Sequence, residues 1–210
     1  MPCDRRVLEL MSYYREAELH GAGLLLRLMR MMANDPDAQI KLTRHVAEET
    51  RHAWLWTKRI AEMGEAPLTI ANGYQTRIGM RVMPRSATDL LALTIVAEER
   101  SLARYREHAA RPDVDQAMRK VLEAVAHDEE WHISWMKQKL EERIGNDPTV
   151  HQRIEIVTKR YREIDRDVYA ELRAREREAF GETLSDPRED ADSATEMMGV
   201  LTARRDRTVA

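Results

Sequence analysis

The amino-acid sequence predicts an all-α fold, a bundle of four helices built from two helical hairpins with a long crossover between them, followed by a fifth helix and a flexible tail. Three observations predict it. Of 210 residues, 34% are charged and 5% aromatic, with 12 Met but only 8 Gly and 7 Pro, a mixture that favours long helices over sheets. Apolar residues recur at alternating spacings of three and four, the period of a helix with one buried face. An internal repeat relates the two halves: adding 80 to Glu18, Glu49 and His52 gives Glu98, Glu129 and His132.

The elements follow in order. The first helix runs from about Asp4 to Ala33, with Leu8, Met11, Ala22, Leu25, Met29 and Met32 as its seam and Met31 as further core filling. Asn-Asp-Pro at 34–36 breaks it, since Pro36 suits a first helical turn and Asn34 or Asp35 can cap one. The second helix continues to about Met63. From Gly64 to Pro84 the chain holds three of its eight glycines and little periodicity, and reads as a long connection. Ser86 with Asp89 resembles a capping pair for the third helix, which lasts to about Ala110. Residues 111–115 turn the chain into the fourth helix, ending near Gly145. Asp147 and Pro148 start the fifth, with Val150, Ile154, Val157, Tyr161, Ile164 and Val168 as its stripe. The organisation is therefore a bundle over 1–145, an additional amphipathic helix over 146–181 and a polar tail over 182–210.

The repeat places polar side chains where a core should be. Residues three apart share a helix face, so Glu49 points with His52 and Glu129 with His132. The second helix reads Leu42, His45, Glu49, His52, Trp56 along its seam, and the fourth Leu122, Val125, Glu129, His132, Met136. His45, one turn before Glu49, reads as a core histidine. Glu18 and Glu98 fall between apolar neighbours in the middle of the first and third helices. The midpoint of each Glu pair falls on a predicted turn, so the paired glutamates stand at equal height and all six side chains can meet. A connection of about 20 residues spans up to roughly 65 Å against roughly 42 Å for a 28-residue helix, so the second hairpin can lie antiparallel to the first. Four buried carboxylates demand positive charge, since an unpaired buried ion costs several kcal/mol. Two divalent metals supply it, and oxygen-rich ligation with one imidazole each suits iron or manganese better than zinc.

These residues carry a family resemblance. Glu18, the Glu49/His52 pair, Glu98 and the Glu129/His132 pair resemble the six-ligand pattern of the ferritin-like di-iron carboxylate proteins, with the rubrerythrin-like branch nearest in layout. The resemblance covers about residues 5–144. It implies a ferritin-like bundle that binds two iron ions, or manganese, through those six residues, and an oxidoreductase that activates oxygen or peroxide with an external electron donor. A small organic substrate is one expectation; ferroxidase activity with iron storage is the alternative. The stretches 48–52 and 128–132, EETRH and DEEWH, resemble the acidic-Glu-x-Arg-His pattern of di-iron oxygenases. Glu48 and Asp128 would then orient the histidines, while an ion pair from Glu48 to Arg51 is the plainer reading. Tyr14 and Tyr105 read as neighbours of the site or as packing. Ser101 stands where rubrerythrins carry a further glutamate, and its repeat partner is Gly21. Two small residues there suggest either space for oxygen or substrate, or close helix packing.

Charge and cysteine content bound the partners. With 37 acidic against 34 basic residues, no field of one sign favours nucleic acid or an anionic membrane. The single Cys3 excludes an internal disulfide and a cysteine-ligated rubredoxin module, so electrons must come from outside the chain. The longest apolar run, residues 90–97, is far shorter than the roughly 20 residues that span a bilayer. A cytoplasmic protein is expected, and the amphipathic fifth helix can either cover the bundle or pair with another chain's fifth helix, with a homodimer as the expected assembly.

Overall fold

The structure, a computed structural model, describes residues 4–180; the predicted tail over 182–210 lies outside the described residues. The described residues form six helices: α1 (Arg5–Met31), α2 (Pro36–Glu62), α3 (Tyr74–Arg81), α4 (Ala87–Ala110), α5 (Gln116–Ile144) and α6 (Pro148–Phe180). The caps of α2 and α4 are those the sequence suggests, and α5 has one as well. Asp35 accepts the Ala38 N–H and Asp115 the Met118 N–H, satisfying donors that the first turn cannot pair itself. At α4 the Ser86 hydroxyl accepts the Asp89 N–H at 3.1 Å and the Asp89 carboxylate accepts the Arg85 N–H at 3.2 Å. Gly145 closes α5 with φ 57°, a left-handed conformation that glycine adopts without a Cβ penalty.

Helices α1 and α2 pair, as do α4 and α5, and the second hairpin lies antiparallel to the first. Arg59, late in α2, meets Asp115 at the start of α5, while Lys139, late in α5, reaches Asp35 and Asp37 at the start of α2. Likewise the Tyr14 hydroxyl in α1 contacts His108 near the end of α4. The apolar core falls into two parts. One gathers Leu25, Leu28, Leu42, Leu91, Ile95, Met136 and Leu140; the other gathers Leu8, Met11, Tyr14, Trp56, Ile60, Tyr105 and Leu122. On every one of the four long bundle helices the residues between these two parts include the glutamates and histidines of the repeat. The polar side chains thus form a layer sandwiched between two apolar ones.

Two expectations are corrected and one is resolved. The connection over 64–84 contains α3, an eight-residue helix whose Tyr74 and Ile78, one turn apart, are both buried. Two anchors flanking so short a stretch leave no periodicity to read, and α3 is held by distant partners instead. The Tyr74 hydroxyl donates to Asp165 of α6 at 2.6 Å, and Arg77 and Arg81 both pair with Glu171. Met31 is 37% exposed, so it does not fill the core. Of the two readings of the last helix, the structure shows α6 covering the bundle. Ile154, Tyr161, Ile164, Val168 and Leu172 are buried against α4 and α3. Arg100 of α4 grips Asp165 with Nε and a terminal nitrogen, Arg162 reaches Glu99, and Arg153 reaches Asp89. Among the described residues no helix is long and apolar enough to cross a membrane.

Candidate metal centre

All six residues of the repeat reach the polar layer, and none is more than 6% exposed. They assemble, with His45, into two groups: Glu18, Glu49, His52 and Glu129 in one, and His45, Glu49, Glu98 and His132 in the other. Within each group one donor atom per residue lies within 4.8 Å of all the others, and Glu49 belongs to both. Several of these atoms have no hydrogen-bond partner although fully buried: Glu49 Oε1, Glu129 Oε1, His52 Nδ1 and both ring nitrogens of His45. Each such orphan costs about 1–3 kcal/mol if left unsatisfied. Cations between the groups would satisfy them together. Mixed carboxylate and imidazole donors are the chemistry that iron and manganese accept, so the residues fit a dinuclear centre.

The two histidines of the repeat are oriented across the hairpins. His52 Nε2 donates to Asp128 at 2.9 Å and His132 Nε2 donates to Glu48 at 3.0 Å. Each bond fixes the tautomer that leaves Nδ1 as the inward acceptor, the role that outer carboxylates play around metal-binding histidines. Indeed His52 Nδ1 lies 3.5 Å from Glu18 and His132 Nδ1 lies 2.9 Å from Glu129. Glu48 and Asp128 are anchored in turn, though not as the plainer reading had it. Arg51 pairs with Asp128 rather than Glu48, while Glu48 is held by Arg44 at 2.9 Å, whose guanidinium also lies over the Trp131 ring at 3.8 Å. Sequence reasoning passed over Arg44. Its signal was the i, i+4 spacing to Glu48.

The tyrosines divide. The Tyr105 hydroxyl donates to Glu18 Oε1 and so touches the site. Tyr14 does not; it packs against Tyr105 at 5.0 Å between ring centres and bonds His108 Nδ1 at 3.1 Å. The two small residues divide as well. A Cβ at Gly21 would collide with the Glu49 carboxylate, so that position is filled by the Glu49 side chain and offers no pocket. Ser101 lines a small cavity of about 20 Å³ with Tyr13, Tyr14, Ala17, Arg104 and Tyr105. A larger one, about 160 Å³, lies between α1, α3 and α4, lined by Leu24, Ile78, Val82, Leu93 and Ala97 with Arg27 and Tyr74. Ala97 adjoins Glu98 in the chain.

The electrostatics are those of crowded, buried carboxylates. Burial pushes the Glu49 carboxyl well above its usual range, reinforced by the charges of Glu98 and Glu18. Burial does the same to Glu129, with Glu98, Glu49 and Glu18 adding to it. Glu98 moves the other way: burial would raise it, but the facing His45 ring, Glu129 and His52 outweigh burial and hold it low. Burial would lower His52, yet Glu18, Glu49 and Asp128 raise it to about 9. His132 is pushed down by burial and by the neighbouring His45 and His52. Protons on Glu49, Glu129 and His52 thus neutralise part of the buried carboxylate charge.

No family model matches the sequence, and no curated protein sequence does. Among solved structures the chain superposes on a protein from Synechococcus described as having aldehyde deformylating oxidase activity, with a TM-score of 0.72 and 18% identity, over 94% of this chain and 95% of that one. Such coverage exceeds residues 5–144, so the likeness takes in α6 as well as the bundle. At that identity it is a likeness of fold, and the fold is the ferritin-like helical bundle.

Proposed function

We propose that the chain is a dinuclear metal oxidoreductase, holding two iron ions or alternatively manganese, that activates oxygen with an external electron donor and oxidises a small organic substrate. One observation carries the reading: two buried groups of carboxylate and imidazole donors share Glu49 at the centre of a bundle. Glu18, Glu49, Glu98, Glu129, His52 and His132 would hold the metals. Bound there, iron supplies the electron transfer by which oxygen is reduced. The chain's own residues do the rest. Asp128 and Glu48 keep the histidine lone pairs turned inward, Tyr105 holds Glu18 by a hydrogen bond, and the two apolar core layers keep bulk water from the site.

The apolar cavity beside Ala97 supports an organic substrate with a hydrocarbon portion, and the aldehyde chemistry of the Synechococcus protein makes aldehydes the first class to try. The rubrerythrin-like layout supports peroxide as the other oxidant. Anaerobic ferrous titration of metal-free protein should saturate near two ions per chain, and the reduced protein with oxygen and an aldehyde should yield a new organic product. Saturation at one ion, or none, would sink the dinuclear reading. Oxygen uptake that tracks excess ferrous iron without organic product, in a very large hollow particle, would favour the ferroxidase and storage reading instead.

A further inference from the structure

The 80-residue repeat breaks at one residue of the polar layer. Where the first hairpin has His45, the second has Val125. His45 is fully buried, with neither ring nitrogen hydrogen-bonded. Its Nε2 faces two carboxylates, 3.5 Å from Glu49 Oε1 and 3.5 Å from Glu98 Oε1. These separations are too long for the 2.7–3.2 Å of a good N–H···O bond. They suit atoms gathered around a common ion, because bonds of about 2.1 Å put neighbouring ligands about 3 Å apart and opposite ones about 4.2 Å apart. The ring is fixed in this pose. It stacks on His132 with centroids 3.5 Å apart and an interplanar angle of 28°, and meets Trp131 and Trp135 edge-on. A core histidine kept only for packing would leave two buried nitrogens unsatisfied, where valine, as at position 125, would leave none.

We infer that His45 is a metal ligand through Nε2, making the centre unequal: one metal held by two imidazoles, His45 and His132, with Glu98 and Glu49, the other by His52 alone with Glu18, Glu49 and Glu129. The inference rests on the dinuclear reading above. It gives the two halves different chemistry. The half with two imidazoles is the more nitrogen-rich, and since affinity rises from manganese and iron to cobalt, cobalt(II) is a tight-binding probe of both halves.

The test uses the metal-free full chain and cobalt(II), followed by calorimetry and visible absorption. His45→Phe keeps the ring and its stack but removes both nitrogens. His45→Ala leaves a space that free imidazole can enter, so a misfolded phenylalanine variant would not end the test. Circular dichroism of each metal-free variant checks the fold. The wild type should bind two ions in two resolvable steps. His45→Phe should weaken one step at least about tenfold, since losing even an outer partner of a ligand costs about 10–100-fold, and leave the other within about twofold. Added imidazole should restore the lost step and its absorption in His45→Ala. Unchanged binding and spectrum in His45→Phe, equal weakening of both steps, or absence of imidazole rescue overturns the assignment while two-ion binding by the wild type stands. Fewer than two ions bound by the wild type is the separate failure of the dinuclear reading, and removes this one with it.

Discussion

Gly21 earns its place on α1 through what it lacks. The Glu49 carboxylate occupies the volume where a Cβ would stand, and that carboxylate is the one shared by both donor groups. Alanine in a helix is about 1 kcal/mol better than glycine, so Gly21→Ala should leave the metal-free protein at least as stable as wild type. Glu49 must swing aside, and metal affinity should drop; a melting curve and a metal titration on the same sample separate the two effects, and undiminished affinity would refute the account. A second residue-scale question is which member of the Glu98-Glu99 pair serves the site. The repeat and the apolar seam both select Glu98, and the structure turns Glu99 outward to Lys137 at 2.8 Å and Arg162 at 2.6 Å. Glu98→Ala should lose at least one metal by elemental analysis, whereas Glu99→Ala should keep both. The repeat made six polar residues legible because one spacing occurs twice. His45 has no counterpart in the repeat, so the sequence alone reads it as packing; the signal behind the inference above, its two unsatisfied ring nitrogens, exists only in three dimensions.

At the scale of elements, the four long bundle helices and α6 were readable from period and caps, which are local properties of the chain. Helix α3 was not, because what holds it lies 91 residues away, at the Tyr74–Asp165 hydrogen bond, and at Glu171 beyond. The same limit hid the crossed pairing of Glu48 with His132 and Asp128 with His52, which only the antiparallel packing of hairpins brings together. Asp165 is the point where α3, α4 and α6 meet, 5% exposed and bound by both Tyr74 and Arg100. Deleting one partner of a buried ion pair typically costs about 3–5 kcal/mol, so Asp165→Ala should lower the melting temperature by roughly 6–20 °C for a chain of this size. Tyr74→Phe, which removes one neutral donor and leaves the ion pair, should cost about 1 kcal/mol. Comparable losses in the two variants would show that the ion pair is not what binds α6 to the bundle.

For the whole molecule, folding, protons and metal are linked. Glu49, Glu129 and His52 all have folded pKa values raised above their ordinary ones, His52 to about 9. Raised groups stabilise the metal-free fold fully below their unfolded values, and that stability is lost as pH rises through the folded values. A metal displaces the same protons, so its affinity should change in the opposite direction and strengthen with pH. The gap in melting temperature between manganese-loaded and metal-free protein should therefore be wider at about pH 8.5 than at about pH 6, and a gap that narrows would contradict the assignment of those protons. Helix α6 extends this linkage to a place that makes no contact with the donor groups. By tethering Tyr74, Arg77 and Arg81 it holds α3 as the outer wall of the apolar cavity. A short helix with two buried anchors is a unit of low local stability, able to open while the rest stays folded. Neutralising Glu171 as Glu171→Gln should thus speed amide hydrogen exchange across 74–82 and leave the amides of α2 and α5 around the donor groups as slow as before, so that the wall of the cavity can loosen from its far side while the polar layer stays shut; equal acceleration in α2 and α5 would contradict this.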